Sequence, residues 1–238
     1  MSTLQFTQRS ILEKGEAAYD LVVACRNAMH RFPYTDESER LVLSRDLILG
    51  SLEHAAAATS LVHHHGSTYV VAVHALARPQ LEFFFRGVFF GTPSETSDEE
   101  VQAFIKDDRL PRRADPGRGN RKFDIGFAKM RDVAEAQCRL VVDQLPGLGI
   151  PIAFPMNKDQ LNAFVHGGGH AARTYRLNAS GQHNVASERL IEDQIRRAAS
   201  FAVIGMTFVM GRLATVDALP GRLGSAAQRF FELMPVSG

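Results

Sequence analysis

The chain has 238 residues, 45% hydrophobic and 22% charged, with 27 Lys and Arg against 26 Asp and Glu for a net charge of +1. That apolar share excludes wholesale disorder, and near-neutrality excludes a protein held to nucleic acid or acidic membrane by bulk charge, leaving only local patches. Two cysteines, Cys25 and Cys138, cannot build a disulfide framework and read as reduced thiols.

Helical periodicity dominates, and strand-like alternation is nearly absent. The opening segment lacks a basic stretch followed by an apolar core, so no signal peptide is expected. Its apolar positions Ile11, Ala18, Tyr19 and Val22 predict a first helix that stops near Phe32-Pro33. Asp36 and Glu39 have capping-box spacing ahead of a second stripe at Leu41, Ile48, Leu52, Ala55 and Val62, broken by His63-His64-His65-Gly66-Ser67. A third helix is predicted from about Tyr69 to Phe90, apolar almost all round and therefore central, with a kink at Pro79. It is long enough to span a membrane, but His74, Arg78, Glu82 and Arg86 make that costly. No membrane association is expected, and the location implied is cytoplasmic.

Ser97 and Glu100 form a second capping box before a short helix. Residues 109–122, rich in Arg, Gly and Pro, read as a loop. A fifth helix follows from Phe123 through Phe127, Met130, Ala134, Cys138 and Val141 to Leu145. Asn157 and Gln160 cap a sixth, which ends at His166-Gly167-Gly168-Gly169. Ser187 opens a long helix through Ile191, Ile195, Ala202, Met206 and Val209 to Val216, and a last short helix follows Gly224. The expectation is all-α: one domain over 1–238, a bundle of about seven to eight helices with the basic loop 109–122 within it.

Chemistry is harder to read. His74, Arg78, Glu82 and Arg86 follow one another at i,i+4 and share one face of an apolar helix. Buried charges need partners, water or a ligand. Two readings stay open: a polar pocket where Arg78 and Arg86 hold an anion and Glu82 or His74 moves protons, or an internal Arg78–Glu82–Arg86 network that fixes register. The loop 109–122 carries six basic residues against Asp115 alone, so Arg112, Arg113, Arg118 and Arg121 are candidate phosphate contacts on what is otherwise solvated surface. The string HGGG at 166–169 matches an esterase oxyanion motif, but no G-x-S-x-G accompanies it. No Walker A or dinucleotide-binding string occurs, and Cys25 and Cys138 fall on apolar helix faces. Glu-x-x-His, the usual bundle metal motif, never occurs, so neither metal nor cofactor is expected.

The run His74-Ala75-Leu76-Ala77-Arg78-Pro79-Gln80-Leu81-Glu82 with Phe85-Arg86-Gly87, followed later by Leu161-Asn162-Ala163-Phe164-Val165-His166-Gly167-Gly168, resembles a bacterial helical family of unknown function. That family carries R-P-x-x-E…R-G and L-N-x-x-x-H-G-G, and the resemblance covers about residues 40 to 215. More distantly the chain is similar to HEPN-type domains of RNA-cleaving toxins and phage-defence proteins, which place R-x4-6-H on one helix. Here Arg26 to His30 is one residue short, and Arg176 to His183 crosses a loop with Leu177 after the Arg. The resemblance therefore implies a site built across helices, acting on RNA or a nucleotide without a metal, in a homodimer. His166 would be the acid–base group, Arg78 and Arg86 would bind phosphate, and Glu82 would orient Arg78. His74, Asn162 and His170 would contact substrate. The rival expectation is a non-catalytic binding or sensing module whose Arg78–Glu82 pair is structural.

Overall fold

The computed structural model describes residues 3–32, 34, 38–114, 122–143, 145, 185–213 and 221–234. They form an all-α bundle: α1 (Thr3–Arg31), α2 (Glu39–His65), α3 (Val70–Ala75), α4 (Ala77–Phe90), α5 (Asp98–Asp107), α6 (Phe127–Asp143), α7 (Val185–Leu213) and α8 (Gly221–Leu233). A small ribbon, β1 (Arg112–Ala114) with β2 (Lys122–Asp124), lies between α5 and α6. The helix expected at 157–165 falls outside the described residues. No described helix is long and apolar enough to cross a membrane.

The centre belongs to α7 as much as to α4. Every residue from 201 to 210 is buried, so this helix is apolar on all sides and must be surrounded. Against it α4 packs Phe84 and Phe201 at 4.8 Å between rings, with Phe85, Phe89 and Phe90 also sealed. Each buried phenyl ring contributes about 1.5–3 kcal/mol of transfer free energy. α2 lies flat on α4 because Gly87 permits it: a Cβ there would stand 2.9 Å from the Ile48 side chain. At the same crossing Ser44 Oγ donates to the Gly87 carbonyl at 2.8 Å.

The segment expected as one helix over 69–90 is two. Pro79 removes an N–H, and its ring collides with the carbonyl four residues back, at Ala75, where α3 ends. Leu76 keeps helical dihedrals of −73° and −16°, so the axis breaks without turning sharply. Pro79 then sits in the first turn of α4, where a missing N–H costs least. The consequence for the ionisable stripe is large. His74 belongs to α3 and is fully buried, whereas Arg78, Glu82 and Arg86 belong to α4 and lie half-buried on its outer face.

Residues 109–122 are likewise not simply a loop. Asp108 closes α5 in the left-handed conformation (φ 50°), and Pro111 favours extended backbone before it. Arg112 pairs with Asp124, Arg113 with Phe123 and Ala114 with Lys122 in antiparallel register, extended by Ile125 N–H to the Pro111 carbonyl at 2.8 Å. Because 122–124 are taken up in this ribbon, α6 starts at Phe127 rather than Phe123. Charge disguised the strands, since all three β1 residues are exposed and no alternation appears. At the other boundaries α7 starts two residues before Ser187, α8 starts at Gly221, and Ser38 rather than Asp36 holds the N-cap position of α2.

A two-stranded ribbon is marginal alone. Here Arg113 ties it to α5, with Nη2 donating to Glu100 Oε2 and to the Glu95 carbonyl, each at 2.9 Å, and Nη1 donating to Glu100 Oε1. Glu100 also completes the expected capping box with Ser97. The Arg113 guanidinium holds the Glu100 carboxyl below the usual carboxylate range. A Glu100→Gln substitution keeps a residue able to serve the box but loses the charged pair. Amide exchange in 112–114 and 122–124 should therefore rise about tenfold while α5 stays protected. Unchanged ribbon exchange would show that this latch contributes nothing.

Candidate functional site

Where the ribbon leaves and re-enters the bundle, a cleft of about 170 Å³ opens between α4, Leu110 and the start of α6. Phe85, Phe127, Ile125 and Met130 form its apolar lining, with Phe85 and Phe127 edge to face at 5.1 Å. Glu82 and Arg86, one helical turn apart, supply its charge. Gly126 is also in the lining, and a Cβ built there meets nothing within 4 Å.

The two charges differ in commitment. Glu82 Oε1 accepts from Arg78 Nε at 3.1 Å, an i,i+4 pair whose side chains are 24% and 30% exposed. Arg86 has no carboxylate partner among the described residues. Its guanidinium lies over the Phe104 ring at 5.9 Å, and its buried Nε makes no hydrogen bond. Among the described residues the network Arg78–Glu82–Arg86 is therefore an ion pair plus a cation held on an aromatic face. A half-buried guanidinium on an aromatic face is fixed in place and still able to donate to an anion.

The other predicted site residues are placed as follows. His74 is sealed between α3 and the core, and burial, with the Arg197 charge adding to it, lowers its pKa to about 4. It is neutral at pH 7 and is not among the residues that line the cleft. Arg112 and Arg113 are engaged, the first with Asp124 at 3.1 Å and the second with Glu100, so both carry structural pairs before any phosphate arrives. Arg109 leans on Asp107 at 3.4 Å. His166, Asn162, His170, Arg118 and Arg121 lie outside the described residues. Burial pushes the Cys25 and Cys138 thiols far up, so neither serves as a nucleophile near neutral pH.

Two features escaped the sequence reading. Arg40, 12% exposed, bonds the carbonyls of Phe90 and Thr96, the Thr96 hydroxyl and Asp98, tying down the α4–α5 connection that carries Phe104 toward Arg86. Arg197 sits half-buried on α7, where desolvation lowers its pKa against the pull of Asp193. Arg197 precedes the apolar run from Ala198 onward, which was the signal for it, whereas Arg40, among the charges at the start of α2, gave none. A second depression of about 660 Å³, lined by Asp46, Asp107 and Asp108 against Lys106, has the wrong sign for phosphate. Among the described residues no group of three or more His, Cys, Asp or Glu is placed to hold a metal ion. No protein family, curated protein or solved structure matches the chain.

Proposed function

We propose that this all-α protein is a HEPN-like RNA- or nucleotide-binding protein, and that the cleft beside Arg86 receives a phosphate-bearing ligand. The observation that supports this is the Arg86 guanidinium. Arg78, Arg112 and Arg113 each have a carboxylate, whereas Arg86 is held over Phe104 at the edge of an apolar hollow with none among the described residues. The Arg78–Glu82 pair favours binding over cleavage: it commits both groups to each other, and His74 lies sealed away. The pair then acts as scaffold, fixing Glu82 at the cleft wall.

Titration calorimetry with nucleoside monophosphates and short single-stranded RNA tests the reading. Arg86→Gln removes the charge from a half-exposed side chain and should weaken binding by about tenfold or more, the value of a charge-assisted hydrogen bond. Arg78→Gln, which touches only the scaffold pair, should cost a few-fold at most. Equal affinity for the wild type and Arg86→Gln refutes this role.

A further inference from the structure

We infer that the depression between α2 and α5 docks a basic amphipathic helix of a partner protein. This surface is distinct from the Arg86 cleft, and the inference does not depend on the phosphate reading. The first turns of α2 supply Val42 and Leu43, and the last turn of α5 supplies Phe104 and Ile105, to the lining of a hollow of about 660 Å³. α5 buries Val101 and Phe104 as its period requires. Ile105 lies off that face and is 49% exposed. A large aliphatic side chain left in water beside an apolar hollow, with charges around it, is the character of a surface that a partner covers.

Charge selects the partner's sign. Asp46, Asp107 and Asp108 line the hollow against Lys106 alone, in a chain whose net charge is +1. The C-terminal end of α5 adds the negative pole of its backbone dipole at the same place. The carboxylates are loosely held. Asp46 meets only its neighbour Arg45, at 2.8 Å, and Asp107 meets Arg109 at 3.4 Å with both side chains exposed. Asp108 has no ion pair among the described residues. Surface pairs of this kind contribute little, so the carboxylates remain available to Lys or Arg from outside. Nucleic acid is repelled by the same charge. The walls are two helices, and the groove between them receives the ridge of a third, its apolar residues at i, i+3, i+4 and i+7 on Ile105 and Leu43 and its cations on the acidic rim.

Fluorescence anisotropy of a labelled peptide titrated with the full chain is the test. The probe is a helix of about 15 residues with Leu at i, i+3, i+4 and i+7 and Lys elsewhere. Ile105→Ser should weaken its binding about tenfold through the lost aliphatic contact. Asp107→Asn combined with Asp108→Asn should also weaken it about tenfold at low salt, and less as salt is raised. Glu53→Gln combined with Asp132→Asn removes two exposed carboxylates outside the lining and should change affinity by about twofold at most. Asp108 stands at φ 50°, which asparagine adopts readily, so neutralising it should not lower the melting temperature. Circular dichroism and thermal melting of each variant establish that it is folded. Phe104 is left unaltered because its ring carries Arg86. Affinity unchanged in Ile105→Ser overturns the docking site, as does equal weakening by the two pairs of acidic substitutions. Equal binding of a peptide with Ser in place of Leu, or no binding at about millimolar concentration, overturns it as well. Spermine that displaces the peptide with the same dependence on Asp107 and Asp108 overturns the helical partner in favour of a small polyamine.

Discussion

Arg40→Met should destabilise the protein by about 2–4 kcal/mol, although Arg40 lies far from any predicted site in the sequence. The side chain is 12% exposed and donates to the Phe90 carbonyl at 3.0 Å and the Thr96 carbonyl at 2.8 Å, besides the Thr96 hydroxyl and Asp98. Methionine keeps the aliphatic stem and removes every donor. Phe90 is fully buried at the end of α4, and its carbonyl is one of the last in that helix, left without an intrahelical partner. Most of the cost comes from stranding such carbonyls rather than from the ion pair. Asp98 is 87% exposed, so Asp98→Asn should cost under about 1 kcal/mol. Urea denaturation of the two variants separates these terms: a wide gap identifies the carbonyl bonds, and equal midpoints would identify the ion pair. At roughly 2–4 °C per kcal/mol for a chain of this size, the Arg40→Met melting temperature should fall by about 5–15 °C. Since the connection it clamps leads into α5 and Phe104, the loss should also loosen the support under Arg86.

The sequence made the helices legible because their apolar residues recur at three and four. Met130, Ala134, Cys138 and Val141 are buried on one face of α6 as the period requires, and the Ser97–Glu100 box caps α5. Two things hid from that reading, for separable reasons. Periodicity records which side of a helix is apolar, not whether the backbone is continuous. The stripe from His74 to Arg86 therefore looked like one face until Pro79 divided it, sending His74 into the core and the other three to the surface. Charge concealed the ribbon, because an exposed edge of Arg-Arg-Ala carries no alternation to detect. The cleft depends on both features, being formed where the outward face of α4 meets the foot of the ribbon. Spacing alone yielded Arg78, Glu82 and Arg86 as a set. It could not say that Glu82 chooses Arg78 over Arg86, since both stand four residues away. The apolar lining from Leu110, Ile125 and Phe127 joins residues far apart in the chain from α4, and only the fold brings them together.

Burial of His74 should make the protein acid-labile before its carboxylates titrate. The imidazole is fully buried, with the Arg197 guanidinium of α7 adding its charge, and its pKa falls from 6.5 to about 4. The unfolded chain thus takes up a proton near pH 6.5 that the folded chain refuses until about pH 4. Stability from this group is complete above pH 6.5, declines as pH falls between the two values, and is lost below about 4. Holding the imidazole neutral over that interval corresponds to about 3 kcal/mol, with a slope approaching 1.4 kcal/mol per pH unit near pH 5. Paired carboxylates such as Glu100, whose pKa is lowered by Arg113, contribute the same sign at lower pH, so the difference from a variant is the clean measure. His74→Gln removes the titration while leaving those carboxylates in place. Chemical denaturation between pH 7 and 4.5 should show the wild type losing about 2 kcal/mol more than the variant, even though the variant starts less stable for having altered a sealed core position. Parallel pH curves would mean that the folded state protonates His74 as readily as the unfolded chain, and the imidazole would then have to reach water or a carboxylate such as Asp193 on α7. A single buried imidazole under the influence of the Arg197 charge is what His74 contributes to the fold.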